Sequence, residues 1–135
     1  MAVGMTSNAA READEAAVVA ANEAFYRAFA ARDLAAMDAL WARSTPVATV
    51  HPLGELVLGR EWVMETWQLI FQDPNQPRVV MGDALPALLS ADAAYVTCRE
   101  FAGGGAMVST NLYVREGGEW RIAHHHSSPV VMLQG

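Results

Sequence analysis

Lysine is absent from the chain, and its nine basic residues, all arginine, face fifteen acidic ones for a formal charge of −6. Schiff-base chemistry is excluded with the lysine. So is nucleic acid as a partner, because no basic stripe exists to neutralise phosphates. A single cysteine, Cys98, cannot close an internal disulfide, and its place in an alternating run predicts a buried thiol. No apolar run reaches the roughly 20 residues of a membrane span, and the start lacks a charged segment followed by an apolar block. The expectation is a cytoplasmic protein with no membrane partner. Repeats and low-complexity blocks are missing too, beyond an alanine bias.

What is present suits one core. The chain has 135 residues, 53% of them hydrophobic, enough for one domain and short for two. We read residues 1–12 as a flexible N-terminus and 13–135 as a single domain. Val18, Ala21, Phe25, Ala28 and Phe29 recur at spacings of three and four, which predicts a long amphipathic helix over Ala13 to Ala31. Asp33 is a good N-cap for a second, shorter helix carrying Leu34, Met37, Leu40 and Trp41. Val47 to His51 reads as a short strand ended by Pro52 and Gly54, and Glu55 to Leu58 as a few extended residues. Gly59 to Phe71 is helical again, with Trp62, Val63, Thr66, Trp67 and Ile70 on one side. Four strands follow: Arg78 to Leu89, Ala93 to Phe101, Ala106 to Arg115 and Trp120 to Ser128. The fold class is α+β, with helices packed on one face of a curved, mostly antiparallel sheet.

The last two strands organise the rest. Gly117-Gly118 is a tight-turn dipeptide between alternating β-branched and aromatic runs, so a hairpin is expected. If Glu116 faces Glu119, then Tyr113 lies beside Ile122, Asn111 beside His124 and Ser109 beside His126, all on one face. That face turns from apolar to polar, as a ligand-pocket wall would. The other carries Val114, Leu112, Thr110, Arg121, Ala123 and His125. Glu100 joins the pocket face if the Gly103-Gly104-Gly105 turn keeps an even register, and a slip of one residue turns it outward.

This order of elements, with Asp33, Trp41, the His51-Pro52-Leu53-Gly54 corner, Gly59, Thr110-Asn111 and the closing Trp120 to Pro129, resembles the nuclear transport factor 2 superfamily. Within it the likeness is to SnoaL-like and ketosteroid-isomerase-like proteins. The resemblance implies a cone-shaped, cystatin-like α+β roll with a deep apolar pocket, and a homodimer through the outer sheet surface. An outward face with Val108, Leu112, Val114 and Ala123 agrees with such a dimer. In ketosteroid isomerases an aspartate before a proline is the general base; here the corner holds His51, a titratable group of another type. Their oxyanion-binding tyrosine falls nearest Phe25, with Tyr26 expected to point elsewhere. A pocket holding His51, His124 and His126 loosely resembles the histidine-bearing site of scytalone dehydratase.

The candidate catalytic residues are therefore His51, His124 and Asn111, and the candidate ligand-binding residues Trp41, Trp67, Tyr113, His126 and Glu100. No carboxylate or cysteine stands at diagnostic spacing to the three imidazoles, so neither metal nor cofactor is expected. Two function classes stay open. One is an acid/base enzyme, isomerase or dehydratase, acting on a small apolar or cyclic molecule, with activity falling between about pH 7 and 6 as His51 protonates. The other is a non-catalytic ligand-binding or protein-interaction module on the same fold.

Overall fold

A computed structural model describes residues 8–131. The elements are α1 (Asn8–Ala31), α2 (Leu34–Leu40), β1 (Ala48–Val50), β2 (Leu56–Leu58), α3 (Arg60–Gln72), β3 (Val80–Leu88), β4 (Ala93–Ala102), β5 (Gly105–Glu116) and β6 (Glu119–Pro129). Helix α1 begins at Asn8, ahead of the expected Ala13, so residues 8–12 of the expected flexible N-terminus are helical. The rest of that expectation, residues 1–7, lies outside the described residues. Among the described residues no helix is long and apolar enough to cross a membrane.

The local signals act as their chemistry requires. Arg32 adopts a left-handed conformation at φ 53°, which ends α1. Asp33 then caps α2 by accepting from the Ala36 N–H at 3.0 Å. The Arg32 guanidinium donates to the carbonyls of Phe71, Asp73 and Gln76 at 3.0, 2.8 and 2.6 Å, which ties the end of α3 to the α1–α2 corner. Gly59 opens α3 at φ 92°, a conformation that any side chain would strain.

The six strands form one sheet in the order β2-β1-β6-β5-β4-β3. All neighbours are antiparallel except β1 and β6, which run parallel. Register breaks in β3 between Gly82 and Leu85 and in β6 opposite Leu112–Tyr113 bend the sheet around the helices. Between helices and sheet lie Val18, Phe25, Met37, Trp41, Val63, Trp67, Val96, Tyr113 and Ile122, all buried. Tyr113 pairs with Ile122, and both share the interior with Trp67.

Two expectations about faces are corrected. Trp62 is 61% exposed, not core, because Val63 and Trp67 take the buried stripe of α3 and leave Trp62 about 100° around the helix from Val63. Ala123 is buried, not part of an outer apolar face. It is the extra residue of the β6 bulge: Tyr113 pairs with Ile122, yet Leu112 pairs with His124.

Candidate active site

That one extra residue decides which histidine enters the cone. Past Ala123 every side chain of β6 changes face, so Asn111 pairs with His125 and Ser109 with Ser127. His125 and Ser127 are buried, whereas His124 is half-buried and His126 exposed on the outer surface. The expected placement of His124 and His126 on the pocket wall, with His125 outside, is therefore reversed. The rings of His124 and His126 lie 6.0 Å apart on that outer face.

The second reversal is on α1. Tyr26 does not point away; it is 5% exposed and its hydroxyl lies at the centre of a buried polar network. The hydroxyl donates to Glu100 Oε2 at 2.5 Å and accepts from Asn111 Nδ2 at 3.1 Å. Ser127 donates to the other Glu100 oxygen at 2.7 Å. Asn22, one turn before Tyr26, accepts from Tyr113 at 2.7 Å and from Asn111 Nδ2 at 2.9 Å. Cys98 and Ser109 lie 3.4 and 3.3 Å from the Tyr26 hydroxyl. Of the sequence candidates, Asn111, Glu100 and Tyr113 come together here, joined by Tyr26, Asn22, His125 and Ser127.

The network assigns the proton on His125. Asn111 uses its amide nitrogen as a donor twice, so its Oδ1, 2.6 Å from His125 Nδ1, is the acceptor and Nδ1 carries the hydrogen. The lone pair is left on Nε2, which faces Glu100 Oε2 across 4.0 Å. Burial, with smaller contributions from His124 and His126, lowers the His125 pKa to about 3, so the ring is neutral at physiological pH. Burial and then the neighbouring Glu100 push the Tyr26 phenol far above its ordinary value.

His51 lies just after β1, half-buried, with its ring 4.8 Å from Trp67 and 5.9 Å from His125. Thr66 sends its hydroxyl proton to the Val63 carbonyl at 2.6 Å, so the 2.9 Å contact is a donation from His51 Nε2 to Thr66 Oγ1. His51 thus presents Nδ1 as its lone-pair nitrogen. Burial, reinforced by His125, lowers its pKa to about 4, which moves the expected pH 6–7 titration well into acid. Trp67 is fully buried with its indole N–H unpartnered, and Trp41 is buried with its N–H directed at Met37 sulfur. Among the described residues no group of three or more His, Cys, Asp or Glu could hold a metal.

The arrangement can move a proton. It offers one neutral imidazole lone pair beside a carboxyl group, a phenol bonded to that carboxyl, an amide that holds imidazole and phenol in place, and a second imidazole nearer the surface. Asn22 and Tyr26 were the readable signals missed in α1, since both share a helical face with Val18, Phe25 and Phe29.

A family model described as SnoaL-like domain matches residues 18–132. F-box protein SKIP8 of Arabidopsis thaliana is 34% identical over 119 residues, covering 87% of this chain and 50% of that protein. The chain thus spans about half the length of the curated relative it matches. Among solved structures, a candidate dehydratase of the NTF2-like family from Streptomyces avermitilis superposes with a TM-score of 0.81 at 29% identity, covering 90% of this chain and 99% of that one. A candidate calcium/calmodulin-dependent protein kinase type II association domain from Thiobacillus denitrificans gives 0.73 at 36% identity, over 83% and 94%. An NTF2-like protein of unknown function from Pseudomonas putida, at 0.75 and 19% identity over 91% of each chain, shares the fold alone.

Proposed function

The chain belongs to the SnoaL-like domain family, and from that membership we propose that it takes a small, neutral, mainly apolar molecule into the cone and acts on it by proton transfer, as an isomerase or a dehydratase. One observation supports this reading above the others: a carboxyl group, a phenol and a neutral imidazole converge in the core, on Glu100, Tyr26 and His125. Ionisable groups are expensive to bury, and where several meet inside a fold they mark a candidate site of chemistry. Among the described residues the buried interior holds no arginine, so an anionic substrate would meet no counter-charge.

In this proposal His125 Nε2 is the base, fixed by Asn111, and Glu100, held in place by the Tyr26 and Ser127 hydroxyls, lies beside it. His51, at the more open side of the same cluster, guides the ligand past Trp67 and can relay the proton outward. Because both imidazoles stay neutral in mild acid, the base form persists from pH 5 to 8 and activity falls only below about pH 5. The roles first expected of His124 and His126 do not fit this site, since the bulge turns them away. The likeness to the dehydratase candidate is in keeping with elimination chemistry.

A cytoplasmic homodimer through the outer sheet face belongs to the same proposal; Val108 is 44% exposed there, with Leu112 and Val114 half-buried around it. The likeness to the association-domain candidate favours a second reading, a non-catalytic assembly module. Proton exchange separates the two. Neutral ketones and β-hydroxy ketones incubated with the protein in deuterium oxide should gain deuterium at the α-carbon, seen by NMR. The rate should drop at least 100-fold in His125→Gln, the scale of a lost general base. No exchange and no ligand-induced thermal shift across the panel would leave the module reading standing.

A further inference from the structure

A different surface carries an inference independent of the proton-transfer reading. We propose that the groove between the free edge of β2 and α3 docks an extended segment of a partner protein, apolar where it faces α3 and basic at its flanks. The groove, of about 460 Å³, is lined by Leu56, Val57, Leu58, Trp62, Thr66 and Leu69, with Glu65 among them. Leu56, Leu58, Trp62 and Leu69 are 57%, 63%, 61% and 61% exposed, a concentration of large apolar side chains that water disfavours.

The topology says what shape fits. Among the described residues β2 ends the sheet order and pairs only with β1, so its outer side offers backbone donors and acceptors to a further strand. A strand added about 4.8 Å away points alternate side chains down onto α3. There Trp62, Thr66 and Leu69 form a single stripe at spacings of four and three. An edge strand flanking a helix in this way is the general geometry of strand-addition grooves, in which backbone bonds hold the guest and alternate pockets select it.

Charge says which guest. Glu55, Glu61 and Glu65 are exposed and enter no ion pair among the described residues. Arg60, the one arginine between residues 51 and 77, is already engaged by Asp38 at 2.9 Å. Glu65 lines the groove and Glu55 directly precedes Leu56, whereas Glu61 lies on the other side of α3 beside Arg60; the groove is therefore apolar with two uncompensated carboxylates at its margin. A second copy would bring a like-charged rim to it, across a strand of three residues. Lysine or arginine beside an apolar core matches it instead.

Trp62 is also the reporter, because Trp41, Trp67 and Trp120 are 0%, 0% and 7% exposed. The probe is a short synthetic peptide of alternating valine and threonine with two lysines at each end. Its companion carries glutamates at the same ends. The lysine-flanked peptide should shield Trp62 from acrylamide quenching and slow amide exchange at Leu56–Leu58, and added salt should weaken it. Glu55→Lys together with Glu65→Lys should lower its affinity about tenfold. In Trp62→Ala, a surface change that spares the core, protection of the β2 amides should disappear. No shielding at millimolar peptide, or equal shielding by the glutamate-flanked peptide, overturns the proposal. So does a concentration-dependent dimer in sedimentation that Leu58→Asp abolishes, which would assign the groove to a second copy.

Discussion

Replacing Tyr26 by phenylalanine removes one oxygen from a place water does not reach. The ring keeps its edge-on contact with Phe25, at 4.9 Å, and its stacked one with Phe29, at 6.4 Å, so apolar packing is nearly conserved. Beyond the longer contacts to Cys98 and Ser109, the loss falls on two close partners. Glu100 Oε2 loses its 2.5 Å donor, and the Asn111 amide loses an acceptor but keeps Asn22 at 2.9 Å. Leaving a buried acceptor without its donor costs about 1–3 kcal/mol, and the half-relieved amide adds up to about 1 more. Tyr26→Phe should therefore lose about 1–4 kcal/mol, roughly 10 °C in Tm for a domain of this size. Urea unfolding at pH 7, with an unchanged m-value, measures it. Tyr113→Phe is the internal control: its hydroxyl donates to a neutral amide oxygen, Asn22 Oδ1, that still has Asn111 as partner. It should cost only about 1 kcal/mol. A double-mutant cycle of Tyr26→Phe with Glu100→Gln should show about 1–2 kcal/mol of coupling. Equal losses for the two tyrosines, or additivity in the cycle, would refute a tightly hydrogen-bonded centre at Glu100.

The other expectations concern pH and capping. The unfolded chain takes up a proton on His125 near pH 6.5, while the folded one resists until about pH 3. Stability is thus complete above about pH 6.5 and falls by about 1.4 kcal/mol per pH unit as the medium is acidified, with His51 adding to the slope until about pH 4. Denaturant titrations at pH 7 and 5 should show a smaller difference in His125→Asn than in the unchanged protein, and identical differences would count against a buried neutral His125. Asp33→Ala removes the acceptor for the Ala36 N–H and should cost about 1 kcal/mol, read from a thermal melt and restored by Asp33→Ser.

Much of the architecture is written in local chemistry. Asp33 as a cap, Gly59 at the start of α3, Gly117-Gly118 at the hairpin and strict alternation through β4 each act within a few residues, so they read directly from the chain. The Tyr113–Ile122 pairing was legible for the same reason, lying close to the turn that sets it. So was the interior position of Glu100, once an even register was assumed. The three successive histidines and two serines beyond Ala123 carry no apolar alternation, so nothing in the sequence beyond the bulge marks the change of face.

What local chemistry could not settle was the accumulated phase. A single extra residue costs the hairpin little, yet it inverts every side chain beyond it, exchanging His124 and His126 for His125 inside the cone. Where such a bulge sits depends on how the sheet must bend around α1 and α3, a property of the assembled core. Tyr26 follows the same logic. Helical spacing allowed it to lie on the buried face or beside it, and only the approach of Glu100 and Asn111, from strands more than seventy residues away, made burial of its hydroxyl favourable.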